Sequence, residues 1–382
     1  MTRPSPLRRI GFVGGGQLAR MAIYRGAKLG FHFTILDPDA QAGAAPLADR
    51  VITGGLYDRQ ALTDLVTSCE VTTYDIEHCD TAVLAELEAL GHTILPSPRL
   101  LQTVQDKVLQ KQRYLEAGLA VAPFVDKALD DLAPTDFPIV QKARTGGYDG
   151  RGVAVLRSSA DLARALPGDP ARREGSFFEA WIPFEKELGV MVARSATGQV
   201  VVYAVTEMVF DPELHICTSV IAPAAVDPAV EEQARKLAVA VVEALDGVGV
   251  FGVELFLTTD GSLLVNETAP RPHNSGHYTM DACRTCQFEN HLRAVAGLPL
   301  GDPGVHSPAV MVNLLGGGQP GPTVLEGLDE ALAVPGFSLH LYGKAECRPG
   351  RKMGHFTVTA PTMPQALESA RKIEQYLLVR GG

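Results

Sequence analysis

The 382-residue chain is 46% hydrophobic and 20% charged, enough apolar material for two or three packed domains and too much for a disordered polymer. Its formal net charge of −10 argues against a surface built to hold DNA, RNA or an acidic bilayer, so any phosphate must be gripped locally. The six cysteines are scattered, MTRPSPLRR has no apolar signal-peptide core, and the longest apolar stretch, Leu237 to Leu257, is broken by Glu243, Asp246 and Glu254. These features predict a protein of the reducing cytoplasm with no membrane span.

In chain order, residues 8 to 100 alternate strands (RIGFVGGG, FHFTILDPD, VTTYDIE, HTILPSP) with helical stretches such as QLARMAIYRGAKLG, the rhythm of a parallel sheet wrapped by helices. A helix starting near Leu101 carries DKVLQKQRYLEAGL to a stop at Gly118 and Pro123, and a boundary is expected near residue 105. FPIVQKARTGGYDGRGVAVL then reads as strand, glycine-rich turn, strand, which is hairpin chemistry. Beyond it, SFFEAWIPFEKELGVMVARS, QVVVYAVTEMVF, a helix from Val230 to Leu245, GVELFLTTDGSLLVNE and a helix DACRTCQFENHLRAVAG predict an antiparallel sheet backed by helices. From about residue 300 the chain holds short strands, a Gly/Pro-rich surface loop at 316 to 322 and a closing helix PQALESARKIEQYLLV, with no internal repeat.

Three features carry chemistry. Gly14-x-Gly16-x-x-Ala19 follows a strand and opens a helix, and Asp37 closes the next strand; this suits a dinucleotide phosphate and ribose, or equally a tight turn of any doubly wound domain. GGYDGRG, residues 146 to 152, follows Lys142 in an otherwise apolar strand; it is either a lid whose N–H groups lie over phosphates or a flexible hairpin tip. Glu254 and Glu267 lie in strands joined by TTDGS, so they should be antiparallel neighbours. Two like charges side by side repel unless a cation such as Mg²⁺, which takes hard oxygen ligands, sits between them. Asn266 would face the other side unless the chain bends there. Cys283 and Cys286 form a lone CxxC and read as core thiols, and His273 and His277 are kept from a helical zinc pair by Pro272 and Gly276.

The assembled order of Lys107 in QDK, Lys142 before GGYDGRG, FFEAWIPFEKE, GVELF, NETAPRPHNSGH and later YGKAECRPGRKMGH resembles the ATP-grasp superfamily, and within it the N5-carboxyaminoimidazole ribonucleotide synthetases. The resemblance implies α/β and α+β architecture: an ATP-grasp fold preceded by a Rossmann-like parallel-sheet domain. The expected divisions are 1–105, a lid subdomain 106–180, a central subdomain 181–300 and a small C-terminal segment 301–382 packing on the core. It also implies a cytoplasmic homodimer that uses ATP, bicarbonate, 5-aminoimidazole ribonucleotide (AIR) and Mg²⁺ or Mn²⁺, with no nucleic-acid or membrane partner. By resemblance, ATP falls on Lys107, Lys142, Gly146, Gly147, Gly150, Arg151, Gly152, Glu179, Ala180, Trp181, Ile182, Glu187, His215, Asn266 and Glu267, and the metal on Glu254 and Glu267. AIR falls on Gly16, Gln17, Leu18, Glu77, His273, Asn274, Lys344, Arg351 and Lys352, with Arg271, Tyr148 and Asp149 at the reacting groups. Ala19, Gln141 and Thr268 depart from the family's usual residues. Other readings are a formate-dependent glycinamide ribonucleotide transformylase-like enzyme, an NAD-binding oxidoreductase that leaves the two glutamates idle, and a non-catalytic nucleotide sensor.

Overall fold

The computed structural model describes residues 8–125, 136–146, 152–161, 175–211 and 216–382. Among them three sheets form. The first is parallel, in the order β3-β2-β1-β4, from β1 Arg9–Val13, β2 His32–Asp37, β3 Arg50–Thr53 and β4 Val71–Tyr74. HTILPSP contributes only a bridge between Ile94 and Thr72, because Pro96 and Pro98 deny it further ladder donors. Helix α1 Gln17–Gly26 covers one face of this sheet, and α2 Arg59–Ser68 and α3 Thr81–Ala89 cover the other, each of the latter pair capped by an aspartate, Asp58 or Asp80.

The single helix expected from Leu101 is two. Asp106 adopts an extended conformation and its carboxylate accepts from the N–H groups of Val108 and Leu109, which ends α4 Pro98–Gln105 and starts α5 Lys107–Glu116. The second sheet, β5-β8-β6-β7, comprises β5 Phe124–Val125, β6 Ile139–Ala143, β7 Val153–Leu156 and β8 Ser176–Ala180, and β6 and β7 pair as the expected hairpin. It is tied to α5 through charge. Glu179, on β8, is 2% exposed and lies 2.6 Å from Lys111 Nζ and 2.7 Å from Lys142 Nζ.

The third sheet is the large, mainly antiparallel one, whose strands run from Leu263–Ala269 at one edge through Gly249–Thr258, Phe184–Arg194, Thr206–Phe210 and Cys217–Ala222 to Ala309–Gly318 and the C-terminal strands. Its first half holds β9 Phe184–Arg194, β10 Val200–Val202, β11 Thr206–Phe210, β12 Cys217–Ala222, then α6 Pro228–Ala244, β13 Gly249–Thr258 and β14 Leu263–Ala269. Pro228 at the first helical position and the Asp227 cap start α6, and Ala234, Ala238, Val241 and Val242 give it one apolar stripe against β9 and β13. The helix expected over 281–297 is interrupted: α7 Thr279–Ala282 stops where Arg284 and Thr285 bond across to Gly304 and Asp302, and α8 Gln287–Val295 begins on the Cys286 cap. Cys283 and Cys286 are buried free thiols, as expected.

The C-terminal part adds β15 Ala309–Gly318, β16 Gly321–Glu326, α9 Leu328–Leu332, β17 Phe337–Leu341, β18 Glu346–Cys347, β19 Lys352–Thr359, α10 Met363–Glu374 and β20 Leu378–Gly381. The glycines at 316 to 318 are strand and not surface loop. A Cβ on Gly316 would come within 2.4 Å of the Arg348 carbonyl, so glycine there admits the Arg348–Arg351 turn. The closing helix ends at Glu374, and Leu378 and Val379 leave it to pair with β16 and β15.

Chain ends meet in the core. Phe288 and Leu292 of α8 and Tyr342 of the C-terminal part are buried with Phe12, Phe33 and Ile23 of the first domain, burial that contributes roughly 1.5–3 kcal/mol per large side chain. A Cβ on Gly43 would lie 2.4 Å from the Tyr342 carbonyl, and Arg20 Nη1 donates to the Gly43 carbonyl at 2.7 Å. No helix among the described residues is long and apolar enough to cross a membrane.

Two stability outcomes and a control follow from these contacts. Gly43→Ala pushes a methyl into a backbone carbonyl across the domain junction and should cost about 1–3 kcal/mol, read as a lowered calorimetric midpoint. Glu179→Gln leaves two buried ammonium groups facing each other, and should cost about 3–5 kcal/mol, the loss seen when one partner of a buried ion pair is removed. Glu116→Gln, whose partner Arg113 is half-exposed, should stay within about 0.5 kcal/mol in the same scan.

Candidate active site

Where the first domain, the large sheet and the C-terminal part converge, a cavity of about 660 Å³ opens. Its lining includes Gly16, Gln17, Leu18, Glu77, Lys107, Gly146, Glu254, Glu267, Arg271, His273, Asn274, Lys344, Arg351 and Lys352, fourteen of the residues singled out from sequence. Gly147, Tyr148, Asp149, Gly150, Arg151 and His215 lie outside the described residues.

The first loop is built differently from a dinucleotide site. Gly16 and Ala19 N–H groups donate to the Asp75 carboxylate at 3.0 and 2.6 Å, and Gly15 N–H donates to Asp37 Oδ2 at 2.8 Å. A Cβ on Gly16 would lie 2.5 Å from Asp75 Oδ2, and Gly14 has φ +93, so these glycines are needed by the carboxylate beneath them. The helix N-terminus is already neutralised by the protein, and Asp37 is occupied with the loop instead of a ribose. This removes the structural basis of the NAD reading.

Glu254 and Glu267 are directly opposite each other in the β13–β14 ladder, as their spacing predicts. The register then slips: Leu255 faces Val265, leaving Asn266 as a bulge residue. The bend turns Asn266 toward the acids, so that its Oδ1 accepts from Lys142 Nζ at 2.9 Å while Nδ2 reaches Glu254 Oε2 at 3.4 Å. Burial, then the charges of Glu267 and Glu187, push the Glu254 carboxyl well above its ordinary range. Burial would also raise Glu267, but the ammonium groups of Lys107 and Lys142 outweigh it and hold the group low; Lys107 Nζ donates directly to Glu267 Oε2. Two carboxylates facing each other, one raised by burial and its acidic neighbours and the other held low by two lysines, suit a hard divalent cation that takes its remaining oxygens from phosphate.

Around this pair lie Glu187, pushed up to about 7 by burial, and Lys111, pushed down to about 8 by burial. Lys111 Nζ also donates to the Asn266 carbonyl at 3.1 Å, fixing the bulge from behind. Lys142 and Glu179 are buried in this network and are not part of the cavity lining. Ala180 ends β8 with its N–H bonded to the Pro123 carbonyl, followed by exposed Trp181 and partly buried Ile182, away from the cavity lining.

At the other end, Arg271 Nη2 sits 2.7 Å from Glu77 Oε1, joining β14's exit to the first domain. Burial raises Glu77, and Arg271 more than offsets it. His273 Nε2 lies 3.3 Å from Glu254, and burial, with Arg271 and Lys352 nearby, lowers its ring to about 4. Asn274 exchanges amide hydrogen bonds with Asn313 at 2.9 and 2.7 Å. Lys344 Nζ donates to the Lys352 carbonyl and Arg351 Nη1 to the Glu346 carbonyl, which hold the basic C-terminal turn in place.

Sequence reasoning missed Asp75, Lys111 and Gln110, and weighed His277 only as half of a zinc pair. Lys111 had a signal, since Lys107 and Lys111 share a helix face at i,i+4. Gln110 pairs with both the N–H and C=O of Thr268, which gives that position its buried environment, and Gln141 turns to Ser176 Oγ at 3.0 Å. Ala19 sits where its N–H meets Asp75.

The chain matches three family models: a ribonucleotide synthetase preATP-grasp domain over residues 7–105, an ATP-grasp domain over 110–288, and a phosphoribosylaminoimidazole carboxylase C-terminal domain over 309–369. It is 40% identical over 362 residues to N5-carboxyaminoimidazole ribonucleotide synthase of Synechococcus elongatus, spanning 93% of this chain and 90% of that protein. The crystal structure of N5-carboxyaminoimidazole ribonucleotide synthetase from Thermotoga maritima superposes with a TM-score of 0.90 at 45% identity, over 98% of this chain and all of that one. The Aspergillus clavatus synthase, solved with ADP and 5-aminoimidazole ribonucleotide, superposes with a TM-score of 0.86 at 35% identity, covering 96% and 98% of the two chains. With these three family models matched in order along it, this chain belongs to the N5-carboxyaminoimidazole ribonucleotide synthase family of ATP-grasp ligases.

Proposed function

We propose that this ligase, which carboxylates AIR at the expense of ATP in purine biosynthesis, does so by first phosphorylating bicarbonate and then passing the carboxyl group to the AIR amine. The observation that carries this reading is the single cavity in which paired glutamates, the first-domain loop, Arg271 and a basic C-terminal turn are all within reach of one another. ATP phosphates lie against Lys107, Lys142 and the N–H groups of the 146–152 loop. The adenine end lies at Glu179, Ala180, Trp181 and Ile182, with Glu187 at the ribose and His215 and Asn266 completing the nucleotide contacts. Glu254 and Glu267 hold Mg²⁺ or Mn²⁺, which when bound draws charge off the transferring phosphoryl oxygens.

Bicarbonate oxygen attacks the terminal phosphorus, ADP leaves, and carboxyphosphate remains. The AIR amine nitrogen then bonds to its carbon as the C–O bond to phosphate breaks, and the proton that the amine loses ends on the released phosphate. Arg271, held by Glu77, stabilises the negative oxygens in both steps. Tyr148 and Asp149, with the rest of the 146–152 loop, exclude water from the short-lived mixed anhydride. AIR rests on Gly16, Gln17, Leu18, Glu77, His273 and Asn274, with its phosphate on Lys344, Arg351 and Lys352. Neutralisation of the α1 N-terminus by Asp75 supports this division, because it leaves the phosphate to the basic turn. Six free cysteines, five of them buried, suit the cytoplasm, and the family resemblance favours a homodimer.

ADP release should require AIR and bicarbonate together, and formate should not replace bicarbonate; equal release with AIR omitted, or with formate, would sink the reading. Replacing Lys344 and Arg351 together by alanine should raise KM for AIR at least about tenfold while KM for ATP stays within about twofold. An equal defect in both would assign these residues to the nucleotide or the fold.

A further inference from the structure

His277 lines the same cavity, is 1% exposed, and has no part in the roles assigned above. Its ring is fixed by Gln287, which is wholly buried. The Gln287 amide is bracketed by the backbone of His273: Oε1 accepts from His273 N–H at 2.9 Å, and Nε2 donates to the His273 carbonyl at 2.8 Å. Reversing the amide would set oxygen against oxygen and N–H against N–H, so its orientation is dictated by the main chain. The second Nε2 hydrogen points to His277 Nδ1, 3.0 Å away. That nitrogen must therefore be the bare acceptor, and the proton of the neutral ring resides on Nε2.

Among the described residues no protein group accepts from His277 Nε2. The ring is packed by Phe288, His355 and Tyr342, with centroids 5.6, 4.8 and 6.5 Å away, and a Cβ on Gly276 would lie 2.4 Å from Gln287 Oε1. Burial, then Lys352, His273, His340 and Arg271, hold the ring well below the usual histidine range, so it offers an N–H without a charge. A lone pair already taken by an amide N–H cannot serve as a base toward substrate. Of the two ring nitrogens only the donor is left for the cavity, which His277 lines together with Lys352, Lys344 and Arg351.

We infer that His277 donates Nε2–H to the phosphate monoester of the ribonucleotide substrate, and that Gln287 is a positioning residue which fixes the donor tautomer. The inference rests on the proposed placement of AIR phosphate at the basic C-terminal turn. An uncharged donor in a ring of cations adds a directed hydrogen bond without adding to the repulsion among them.

The test uses the full chain, ribose 5-phosphate as the probe for the monoester, and ADP as the probe for the nucleotide end. Nitrogen NMR of the imidazoles, with His277 assigned by its loss in His277→Phe, should show Nδ1 unprotonated and Nε2 protonated at neutral pH. Adding ribose 5-phosphate should shift Nε2–H and slow its exchange with water; adding ADP should not. His277→Phe, which keeps the packing, should weaken ribose 5-phosphate binding by about tenfold and leave ADP binding within about twofold. A protonated Nδ1, an Nε2 that responds to ADP instead, absent binding of ribose 5-phosphate to the wild-type protein, or an unchanged affinity in the variant would each overturn the inference. Loss of AIR-dependent ADP release in the wild-type protein with the ribose 5-phosphate response intact would instead overturn the assigned reaction and leave His277 as a phosphate donor.

Discussion

Glu179 is the interaction on which the site's geometry depends. One buried carboxylate accepts two lysines from different elements, and those lysines hold both sides of Asn266, Lys142 at the side chain and Lys111 at the carbonyl. Desolvating three charges is costly, and replacing such clusters with apolar groups is often no less stable. Its value here is positional: the small sheet, α5 and the β14 bulge are set relative to one another by bonds whose breaking leaves a charge stranded in the core. An apolar contact would tolerate sliding by an ångström; a shared carboxylate does not.

The electrostatics of the cavity extend from that fixed point. Positive charge at Lys107, Lys111 and Lys142 faces negative charge at Glu179, Glu187, Glu254 and Glu267, and the acids respond unequally because burial acts on all while the lysines favour some. At Glu254 burial and two neighbouring acids outweigh the lysines. At the opposite end the cavity is lined by Lys344, Arg348, Arg351 and Lys352 of the C-terminal part, and Arg271 pairs with Glu77 of the first domain. One cavity thus carries two polarities, an arrangement suited to keeping two phosphate-bearing ligands in separate places.

Much of this was legible in sequence where a local rule was strong. The β13–β14 pairing of Glu254 with Glu267 follows from two apolar runs and a short turn, and the hairpin of β6 and β7 from its glycine-rich connection. What was hidden depended on contacts from distant residues. Asp106 could be read as one more helical residue until its capping of α5 was seen, and Asn266 faces the site only because of a bulge that periodicity does not encode. The glycines at 316 to 318 look like a loop because composition says nothing of the Arg348 carbonyl pressed against Gly316. Gly14 and Gly16 obey a phosphate-binding pattern for a different reason, the carboxylate of Asp75, 59 residues beyond Gly16. The roles of individual residues came from resemblance, since spacing alone left several chemistries open.

The docking of Tyr342 into the first domain has a bearing on how the protein is made. The cavity takes residues 16 to 18 from the start of the chain and residues 344 to 352 from near its end. The first parallel sheet can form early during synthesis, yet the face that receives Tyr342 and α8 must wait until those segments leave the ribosome. Throughout that interval Phe33, Ile23 and their neighbours are an uncovered apolar surface, the part of the nascent chain with most need of shielding.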